Sequence, residues 1–351
     1  MANLTNTVRR VVGQLLGTLS PRNRDIISRR FGLKTGKKET LESIGKSYGI
    51  TRERVRQIEE ASIKQIKESL KADADSKIKP FVNLAENILE ETGGVIRESD
   101  LFVRFSGSDK ENPVNAALVF FLTLDGKLKR VPEDEDFYAF WGLSDQNIEI
   151  FKRSIKLFIE ALEGNRSPIA ESAVADFCQK SGVFSRSVSP AVLASYLSIS
   201  KNVAKNIFGQ IGLTSWPEIK PRGVRDKAFL VLKKSGSPKH FREIAQMINA
   251  AGFSNRGANP QTVHNELIKD SRFVLVGRGI YGLAEWGLKA GTVKDVLVDL
   301  LRSAGRPLPK NEIVTAVLAH RMVKENTIVL NLNDSKVFQK REDGTYTLRE
   351  A

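Results

Sequence analysis

Residues 40–59, TLESIGKSYGITRERVRQIE, constrain the fold of this chain more than any other segment. Thr40 is a favourable helix cap, and three apolar side chains then share one side of a helix: Leu41, Ile44 and Tyr48. Gly49 suits the left-handed backbone of a helix-to-helix corner, and Thr51 is a favourable cap for a second helix. The segment therefore predicts two short helices joined by a tight turn, a helix-turn-helix.

The second predicted helix has an apolar side and a polar side. With about 100° between successive residues, the apolar side contains Val55, Ile58, Ser62 and Ile66. The opposite side contains Glu53, Arg56, Gln57, Glu60, Lys64 and Lys67. In the major groove Arg pairs with guanine, Gln pairs with adenine, and Glu accepts a hydrogen bond from cytosine. Periodicity alone fits equally well an ordinary amphipathic helix whose charged side faces water.

Residues 20–33, SPRNRDIISRRFGL, followed by TLESIG and GITRERVRQIE, resemble region four of primary bacterial sigma factors. That region binds an upstream promoter element and also touches the flap of RNA polymerase. The resemblance implies that four side chains face base edges: Arg52, Glu53, Arg56 and Gln57. It also implies that three residues lie at phosphates through helix N-termini: Thr40, Leu41 and Thr51. We expect further contacts to the DNA backbone from Arg54, Lys64 and Arg278.

The position of this module departs from the sigma-factor pattern. In sigma factors it closes the chain, after domains that melt DNA and bind the polymerase clamp. Here it opens the chain, and no later segment resembles those domains. We therefore expect a protein that does not initiate transcription as a sigma factor.

The composition is that of an ordinary globular chain of 351 residues, 41% hydrophobic and 27% charged. No apolar run approaches the roughly 18–20 residues of a membrane span, and the first residues, MANLTNTVRR, lack the core of a signal peptide. The single cysteine, Cys178, excludes an internal disulfide and fits a reducing compartment. These features predict a cytoplasmic protein that does not act in a membrane.

The net charge of +14 is distributed unevenly. Residues 1–71 hold 16 Lys and Arg against 7 Asp and Glu, and residues 221–351 hold 22 against 13. Residues 72–220 hold 17 against 21. Basic segments favour contact with phosphates, since binding releases counterions. The distribution predicts DNA contact at the two ends of the chain and none in the middle, although surplus lysine is common in proteins.

Beyond the first module the chain repeats a pattern of three helices followed by two short strands and an aromatic residue, which is typical of a winged helix. The clearest copy spans residues 224–286, another spans 293–349, and a looser copy spans 81–143. Residues 150–216 look helical throughout, and we expect no strand pair there. Helices at residues 193–203 and 207–213 would form either a small helix-turn-helix or a spacer.

We therefore predict a mainly α fold, an N-terminal helix-turn-helix followed by tandem winged helices with short β-wings. The predicted domains are residues 1–71, a degenerate winged helix at 81–143, a helical domain at 150–216, and two winged helices at 222–288 and 291–351. Residues 71–80 are polar and end in a proline, which predicts either a joint or a fraying helix end.

Residues 224–286 resemble the HARE-HTH family, winged helices found in the delta subunit of some bacterial RNA polymerases and in chromatin and restriction proteins. The resemblance rests on three segments: GSP at 236–238, FREIA at 241–245 and RFVLVGRGIYGL at 272–283. Residues 293–349 resemble the family more weakly. The long acidic tail of delta subunits is absent from this sequence, so a delta-like displacement of nucleic acid is not expected.

The third helix of the clear copy offers few groups for reading bases, namely His264, Asn265 and Lys269. Arg278 at the predicted wing tip, with Arg272 nearby, can reach a phosphate or the minor groove. The last copy adds Arg302, Arg306, Lys310, Arg321, Lys324, Lys336, Lys340 and Arg341. Backbone contact by these two modules competes with protein docking or a purely structural role.

The sequence gives little support for catalysis. His240, His264 and His320 are scattered, and His240 with Glu243 looks like a pair on a helix surface. Cys178 is expected to be a buried thiol. Gly277-Arg278-Gly279 lies between strands, so it predicts a hairpin turn, and residues 133–136, EDED, predict a solvated wing loop. We expect no enzyme activity, no metal site and no cofactor.

These observations predict a cytoplasmic transcription regulator that binds double-stranded DNA and reads a promoter-like sequence with its sigma-like module. The alternative is a delta-like accessory factor that binds the flap of RNA polymerase and reads no sequence. A specificity subunit of a restriction or repair system is a third interpretation, by fold analogy alone. No small-molecule substrate is expected.

Overall fold

The computed structural model describes residues 2–71, 77–184, 188–253, 257–288, 291–321 and 323–349. Within these ranges the chain is mainly helical with small three-stranded antiparallel sheets, which confirms the predicted fold class. The chain divides into two units, Met1–Lys205 with Gly209–Thr214, and Asn206–Phe208 with Ser215–Ala351. Residues 72–76 of the joint predicted at residues 71–80 lie outside the described residues.

The first unit contains the sigma-like module and two further modules. Its helices are α1 (Ala2–Leu16), α2 (Pro21–Phe31), α3 (Leu41–Tyr48), α4 (Arg52–Lys71), α5 (Lys79–Glu91), α6 (Glu98–Ser106), α7 (Pro113–Asp125), α8 (Asp145–Asn165), α9 (Val174–Lys180) and α10 (Pro190–Ile199). Its strands are β1 (Val95–Arg97), β2 (Lys129–Val131), β3 (Phe140–Gly142), β4 (Ile169–Ala170), β5 (Val203–Lys205) and β6 (Gln210–Leu213).

The second unit contains two modules. Its helices are α11 (Val224–Ser235), α12 (Phe241–Ala250), α13 (Pro260–Lys269), α14 (Val293–Ala304), α15 (Lys310–His320) and α16 (Glu325–Leu332). Its strands are β7 (Lys239–His240), β8 (Phe273–Gly277), β9 (Ile280–Leu283), β10 (Leu308–Pro309), β11 (Phe338–Lys340) and β12 (Thr345–Leu348).

One topology recurs four times in the described residues. A helix, a short strand, two helices and a β-hairpin follow one another, and the last strand always lies between the other two, as in β1-β3-β2 and β7-β9-β8. This is the arrangement of a winged helix, in which the hairpin forms the wing. The domain boundaries predicted from the sequence stay predictions, but the repeated topology extends to one more segment than the sequence indicated.

That additional segment is residues 145–214, where the expectation of an all-helical domain without a strand pair was wrong. Residues 207–213, expected to be a helix, instead contain the turn and the second strand of a hairpin, in which β6 pairs with β5 and also with β4. Val203 and Leu213 form a cross-strand pair and are both buried. Gly209 has a φ of +75°, which suits the tight turn between the strands. Short apolar runs fit a helix and a strand equally well, which is why periodicity misled here.

The helix-turn-helix has the local chemistry that its sequence predicts. The side-chain oxygen of Thr40 accepts a hydrogen bond from the Ser43 amide at 3.1 Å, and that of Thr51 accepts one from the Arg54 amide at 3.2 Å. Gly49 ends α3 with a φ of +63°. Gly45 lies inside α3 where a Cβ atom would come within 2.7 Å of the Ile50 carbonyl oxygen. The corner is therefore tight enough to require glycine inside α3 as well as after it.

Apolar contacts fix α4 against the two helices before it, and polar contacts hold α2 to α3 and to the loop before α3. Ile26, Ile44 and Val55 form a small buried cluster between α2, α3 and α4. Around it, the Tyr48 hydroxyl donates to Asp25 at 2.8 Å. The Arg29 guanidinium donates to both carboxylate oxygens of Glu39, at 2.8 and 2.7 Å. The first turns of α4 thus have a defined position.

Helix α7 joins the helix-turn-helix to the first winged helix. Its residues 115–122 are all buried, and it packs against α1, α2 and α4 on one side and α5 and α6 on the other. The rings of Phe31 in α2 and Phe120 in α7 meet edge to face with centroids 4.9 Å apart. Ile66 of α4 belongs to the same core. The sigma-like module and the first winged helix therefore share one hydrophobic core.

Helix α10 holds the second winged helix to the first in a similar way. The Ser195 hydroxyl donates to the Val95 carbonyl in β1 at 2.7 Å, and the Ser198 hydroxyl donates to Asp100 at 2.7 Å. Gly93 leaves room for Val192, whose side chain would lie 2.7 Å from a Cβ atom at that position. In both modules of the first unit, the third helix is thus used for packing within the chain.

Replacing Phe120 with alanine should destabilise the helix-turn-helix as well as the first winged helix. A fully buried phenylalanine reduced to alanine costs about 3–5 kcal/mol, and the Phe120 ring contacts both modules. Native-state hydrogen exchange should therefore show lower protection of amides in α2 and α4 together with α5. Phe229→Ala, a similar truncation in the second unit, is the control and should leave α2 unchanged. Normal protection of α2 in Phe120→Ala would contradict a shared core.

Replacing Tyr48 with phenylalanine should destabilise the helix-turn-helix in a pH-dependent way. The hydrogen bond from Tyr48 is the main cause that holds the pKa of Asp25 below its ordinary value. A lowered carboxyl pKa stabilises the fold above the unfolded pKa, near 4, and this contribution is lost as the pH falls through the folded value.

We expect a loss of about 1 kcal/mol at neutral pH, a modest value because Asp25 is partly exposed to solvent screening. The difference between Tyr48→Phe and the parent protein should shrink at about pH 3. Hydrogen-exchange protection of the α3 amides measures it at both pH values. A difference of equal size at low pH would assign the loss to packing and not to the ionised carboxylate.

Candidate nucleic-acid interface

The four side chains predicted to read bases lie together at the start of α4. Arg52, Glu53, Arg56 and Gln57 are all exposed, whereas Val55 between them is fully buried in the helix-turn-helix core. Because Val55 anchors the inner side of the same turn, the outer side projects away from the core. The structure brings the predicted set onto one exposed surface at the start of α4.

These side chains bond to one another along the helix. The Arg56 guanidinium donates to both oxygens of Glu53, from Nε at 3.1 and 3.0 Å and from one terminal nitrogen at 2.6 Å. Its other terminal nitrogen donates to Glu60. The hydrogen bond to Glu53 is the main cause that raises the pKa of Arg56 above its ordinary value, and it lowers the pKa of Glu53. Arg56 is therefore a cation held by two carboxylates.

The predicted phosphate contacts lie at the starts of α3 and α4. The hydroxyl groups of Thr40 and Thr51 are used as caps, so a phosphate would meet the main-chain amides of the first turns, at Leu41 and beyond. Arg54 donates to the side-chain oxygen of Gln57 at 3.0 Å, and Lys64 is exposed two turns further along α4. The helix ends thus offer hydrogen-bond donors beside the base-reading set.

The wing of the first module in the second unit places one of its two predicted arginines outward. Arg278 is exposed between Gly277 and Gly279 at the tip of the β8–β9 hairpin, which confirms the predicted turn. Arg272, expected nearby as a group that can reach a phosphate or the minor groove, is half-buried and ion-paired. Its guanidinium bonds to Asp270 at 2.7 Å and to Asp226 at 3.0 Å, with the pKa of Arg272 raised chiefly by Asp270. Arg272 therefore holds the module together.

The basic residues expected on the last module differ in their accessibility. Arg321 is 6% exposed and donates to the Leu275 carbonyl, so the expectation that it is a surface cation was wrong. Burial lowers the pKa of Arg321 from its ordinary value. Arg306 pairs with Glu312, and Lys310 pairs with Glu325. The cations that remain exposed near its wing are Lys336, Lys340 and Arg341, with Arg302 and Lys324 elsewhere on the module.

The third helix of the module at residues 224–286 has a thin polar side. Asn265 and Lys269 are exposed, but His264 is half-buried. The His264 ring stacks on Phe241 at 4.5 Å and meets Tyr281 edge to face at 5.8 Å between centroids. His264 therefore belongs to the packing of this module more than to its outer surface.

The acidic loop at residues 133–136 is exposed but not simply solvated. Lys201 pairs with Glu133 at 2.7 Å and also donates to the Asp134 carbonyl. The Asn202 side chain donates to Asp136 at 2.8 Å. The expectation of a free wing loop was incomplete, because these acids attach the wing of one module to the next.

The described residues contain no group of three or more His, Cys, Asp or Glu side chains arranged to hold a metal ion. His240 and Glu243 form a reciprocal cap at the start of α12. Cys178 is buried, and burial raises the pKa of its thiol to about 11. In the described ranges no helix is long and apolar enough to cross a membrane.

Two features of the first unit were not predicted from the sequence. Glu60 was placed on the polar side of α4, but its ion pair with Arg56 was not foreseen, although the spacing of four residues was a usable signal. The burial of α7 was also missed. Its sequence, PVNAALVFFLTLD, has no polar side, which favours a helix buried all round.

Two family models match separate parts of this chain. Residues 15–68 match the model described as Sigma-70, region 4. Residues 223–286 match the HARE-HTH model, whose description includes a restriction endonuclease HTH domain. Both models describe DNA-binding domains. The two resemblances predicted from the sequence are thereby confirmed.

Similar proteins match the first of these segments. RNA polymerase sigma factor SigA of Microcystis aeruginosa is 44% identical over 62 residues, 18% of this chain and 15% of that protein. RNA polymerase principal sigma factor HrdD of Streptomyces coelicolor is 45% identical over 53 residues, 15% of this chain and 16% of that protein. The chain thus spans about a sixth of these relatives. Residues 15–68 carry a sigma-70 region 4 module, and residues 223–286 carry a HARE-HTH module.

Proposed function

We propose that this protein is a DNA-binding transcription regulator that reads a promoter-like sequence through α4. Arg52, Glu53, Arg56 and Gln57 would face base edges in the major groove. The single observation that carries the proposal is the exposed, polar start of α4, fixed from behind by Val55 and by the caps of α3 and α4. Arg, Gln and Glu are the side chains that discriminate guanine, adenine and cytosine by hydrogen bonds.

The distribution of apolar surface favours DNA as the partner of this module. The apolar side of α1, α2 and the end of α4 is covered by α7 of the same chain. A stable protein interface usually has an apolar core, whereas the surface left open at the start of α4 is charged and polar. Phosphates and base edges suit such a surface better than a protein would.

The winged helices would contribute unequally. In the first unit α7 and α10, the third helices of their modules, are used in packing, so neither is available as a reading helix. In the second unit Arg278, Lys340 and Arg341 are exposed on the two wings. We infer that these wings contact the DNA backbone and add affinity without adding sequence preference.

RNA polymerase is the second candidate partner, because the relatives of residues 15–68 carry its name. In this alternative the protein is an accessory factor that reads no sequence. The first experiment is therefore selection of binding sites from a random double-stranded pool by the full chain at near-physiological salt. An enriched motif supports the regulator, while bulk binding without a motif supports the accessory factor.

Arg56→Ala should weaken binding to the selected motif about ten- to hundredfold and bind a scrambled duplex nearly as before. Lys64→Ala is the matched variant on the same helix. Since Lys64 is expected at a phosphate, its loss should weaken both duplexes equally and make the salt dependence shallower by about one contact. Fluorescence anisotropy with both duplexes measures the two effects. Unchanged discrimination in Arg56→Ala would remove Arg56 from the base-reading set.

The double variant Lys340→Ala/Arg341→Ala should weaken binding to both duplexes equally. Losing two phosphate contacts should reduce the slope of log affinity against log salt by about 1.8. The control is Arg153→Ala/Lys156→Ala, which removes two exposed cations of α8 and should leave the slope unchanged. Equal slopes for the wing variant and the parent protein would assign this module to another role.

A further inference from the structure

We propose that Glu60 is a specificity-determining residue that acts by holding Arg56 away from DNA phosphates on non-cognate sequences. This inference rests on the proposed function, since it assumes that Arg56 faces DNA. Glu60 itself would contact no base. It is a positioning residue whose effect passes through the Arg56 guanidinium.

The contacts of Arg56 divide its guanidinium between two carboxylates. Glu53, three residues earlier, accepts hydrogen bonds from Nε and one terminal nitrogen of Arg56. Glu60, four residues later, accepts one from the other terminal nitrogen. All three side chains are about half exposed, at 48% for Arg56, 59% for Glu53 and 62% for Glu60. The unbound protein therefore presents Arg56 already neutralised along the helix axis.

The three residues have different places relative to the predicted groove. Glu53 lies in the first turn of α4, within the base-reading set. Glu60 lies two turns later on the same side of the helix, beyond that set. A carboxylate there offers no donor to a phosphate and repels it. In the structure its ion-pair partner is the Arg56 guanidinium.

The effect of Glu60 on binding depends on how strongly its ion pair with Arg56 competes with the contacts of Arg56 to DNA. An exposed ion pair changes an equilibrium by less than about fivefold. A bidentate contact between arginine and guanine discriminates about ten- to hundredfold and therefore displaces the Arg56–Glu60 pair. A single phosphate on a random sequence gives a weaker contact, and the ion pair competes with it effectively. Glu60 thus lowers non-cognate affinity more than cognate affinity.

The test uses the full chain with Glu60→Gln, which keeps the size of the side chain and removes its charge. Anisotropy titrations with the selected motif and with a scrambled duplex are run over a series of salt concentrations. Glu68→Gln is the matched control, because Glu68 is an exposed glutamate of the same helix outside the reading surface. The combination Arg56→Ala/Glu60→Gln tests whether the effect passes through Arg56.

We expect Glu60→Gln to bind the scrambled duplex about three- to fivefold more tightly and the motif less than about twofold more tightly. The salt slope on the scrambled duplex should steepen by about 0.9, one phosphate contact. Glu68→Gln should not change the ratio between the duplexes. In the Arg56→Ala background, the change from Glu60 to Gln should no longer alter that ratio.

Weaker binding of Glu60→Gln to the motif would make Glu60 a direct base reader and would overturn the inference. Equal tightening on both duplexes, or an undiminished effect without Arg56, would reduce it to a general charge effect and would also overturn it. A parent protein that does not distinguish the two duplexes refutes the proposed function and this inference together. A parent protein that does, with an unchanged ratio in Glu60→Gln, refutes this inference alone.

Discussion

Helix α7 has no side that can face water, and the arrangement of the first unit follows from covering it. Its buried residues need apolar neighbours all round, and α5 and α6 of its own module cover only part of them. The remaining surface is covered by α1, α2 and α4 of the helix-turn-helix, with Phe31 against Phe120 at the contact. Since α4 carries the candidate reading surface, the same packing that hides α7 also fixes the direction of the reader.

A winged helix usually has its third helix free to enter a groove, and the first unit uses that position differently. In one module α7 is inside the core, and in the next α10 is bonded to β1 through Ser195. The acidic wing of the first module bonds to Lys201 and Asn202 of the second. The third helices of these two winged helices therefore pack within the chain, and base contacts in the first unit would come from α4. This division agrees with the charge pattern, in which residues 72–220 are mildly acidic.

The sequence was informative where the determinants are local. Caps and corners depend on one or two residues, so Thr40, Gly49 and Thr51 could be assigned from the sequence alone. The ion pair of Arg272 with Asp226 and the hydrogen bond of Arg321 to the Leu275 carbonyl could not, because each joins residues 46 positions apart along the chain. The hairpin of β5 and β6 was missed because two short apolar runs carry no clear period. The exposed polar side of α4 was therefore predictable from the sequence. The packing that holds α4 in place was not, because it depends on contacts between modules.

The hydrogen bonds within the reading surface also affect the free energy of DNA binding. Arg56 and Glu53 are joined by several hydrogen bonds, and Arg54 donates to Gln57. DNA would have to exchange some of these bonds for its own, so the net gain is a difference between two sets of charged contacts. Such a difference is small on an arbitrary sequence and large where guanine and adenine present the right acceptors and donors. Because the side chains of the reading surface already hydrogen-bond to one another in the free protein, this surface favours sequence selectivity over high affinity. The exposed cations of the second unit can supply affinity that does not depend on sequence.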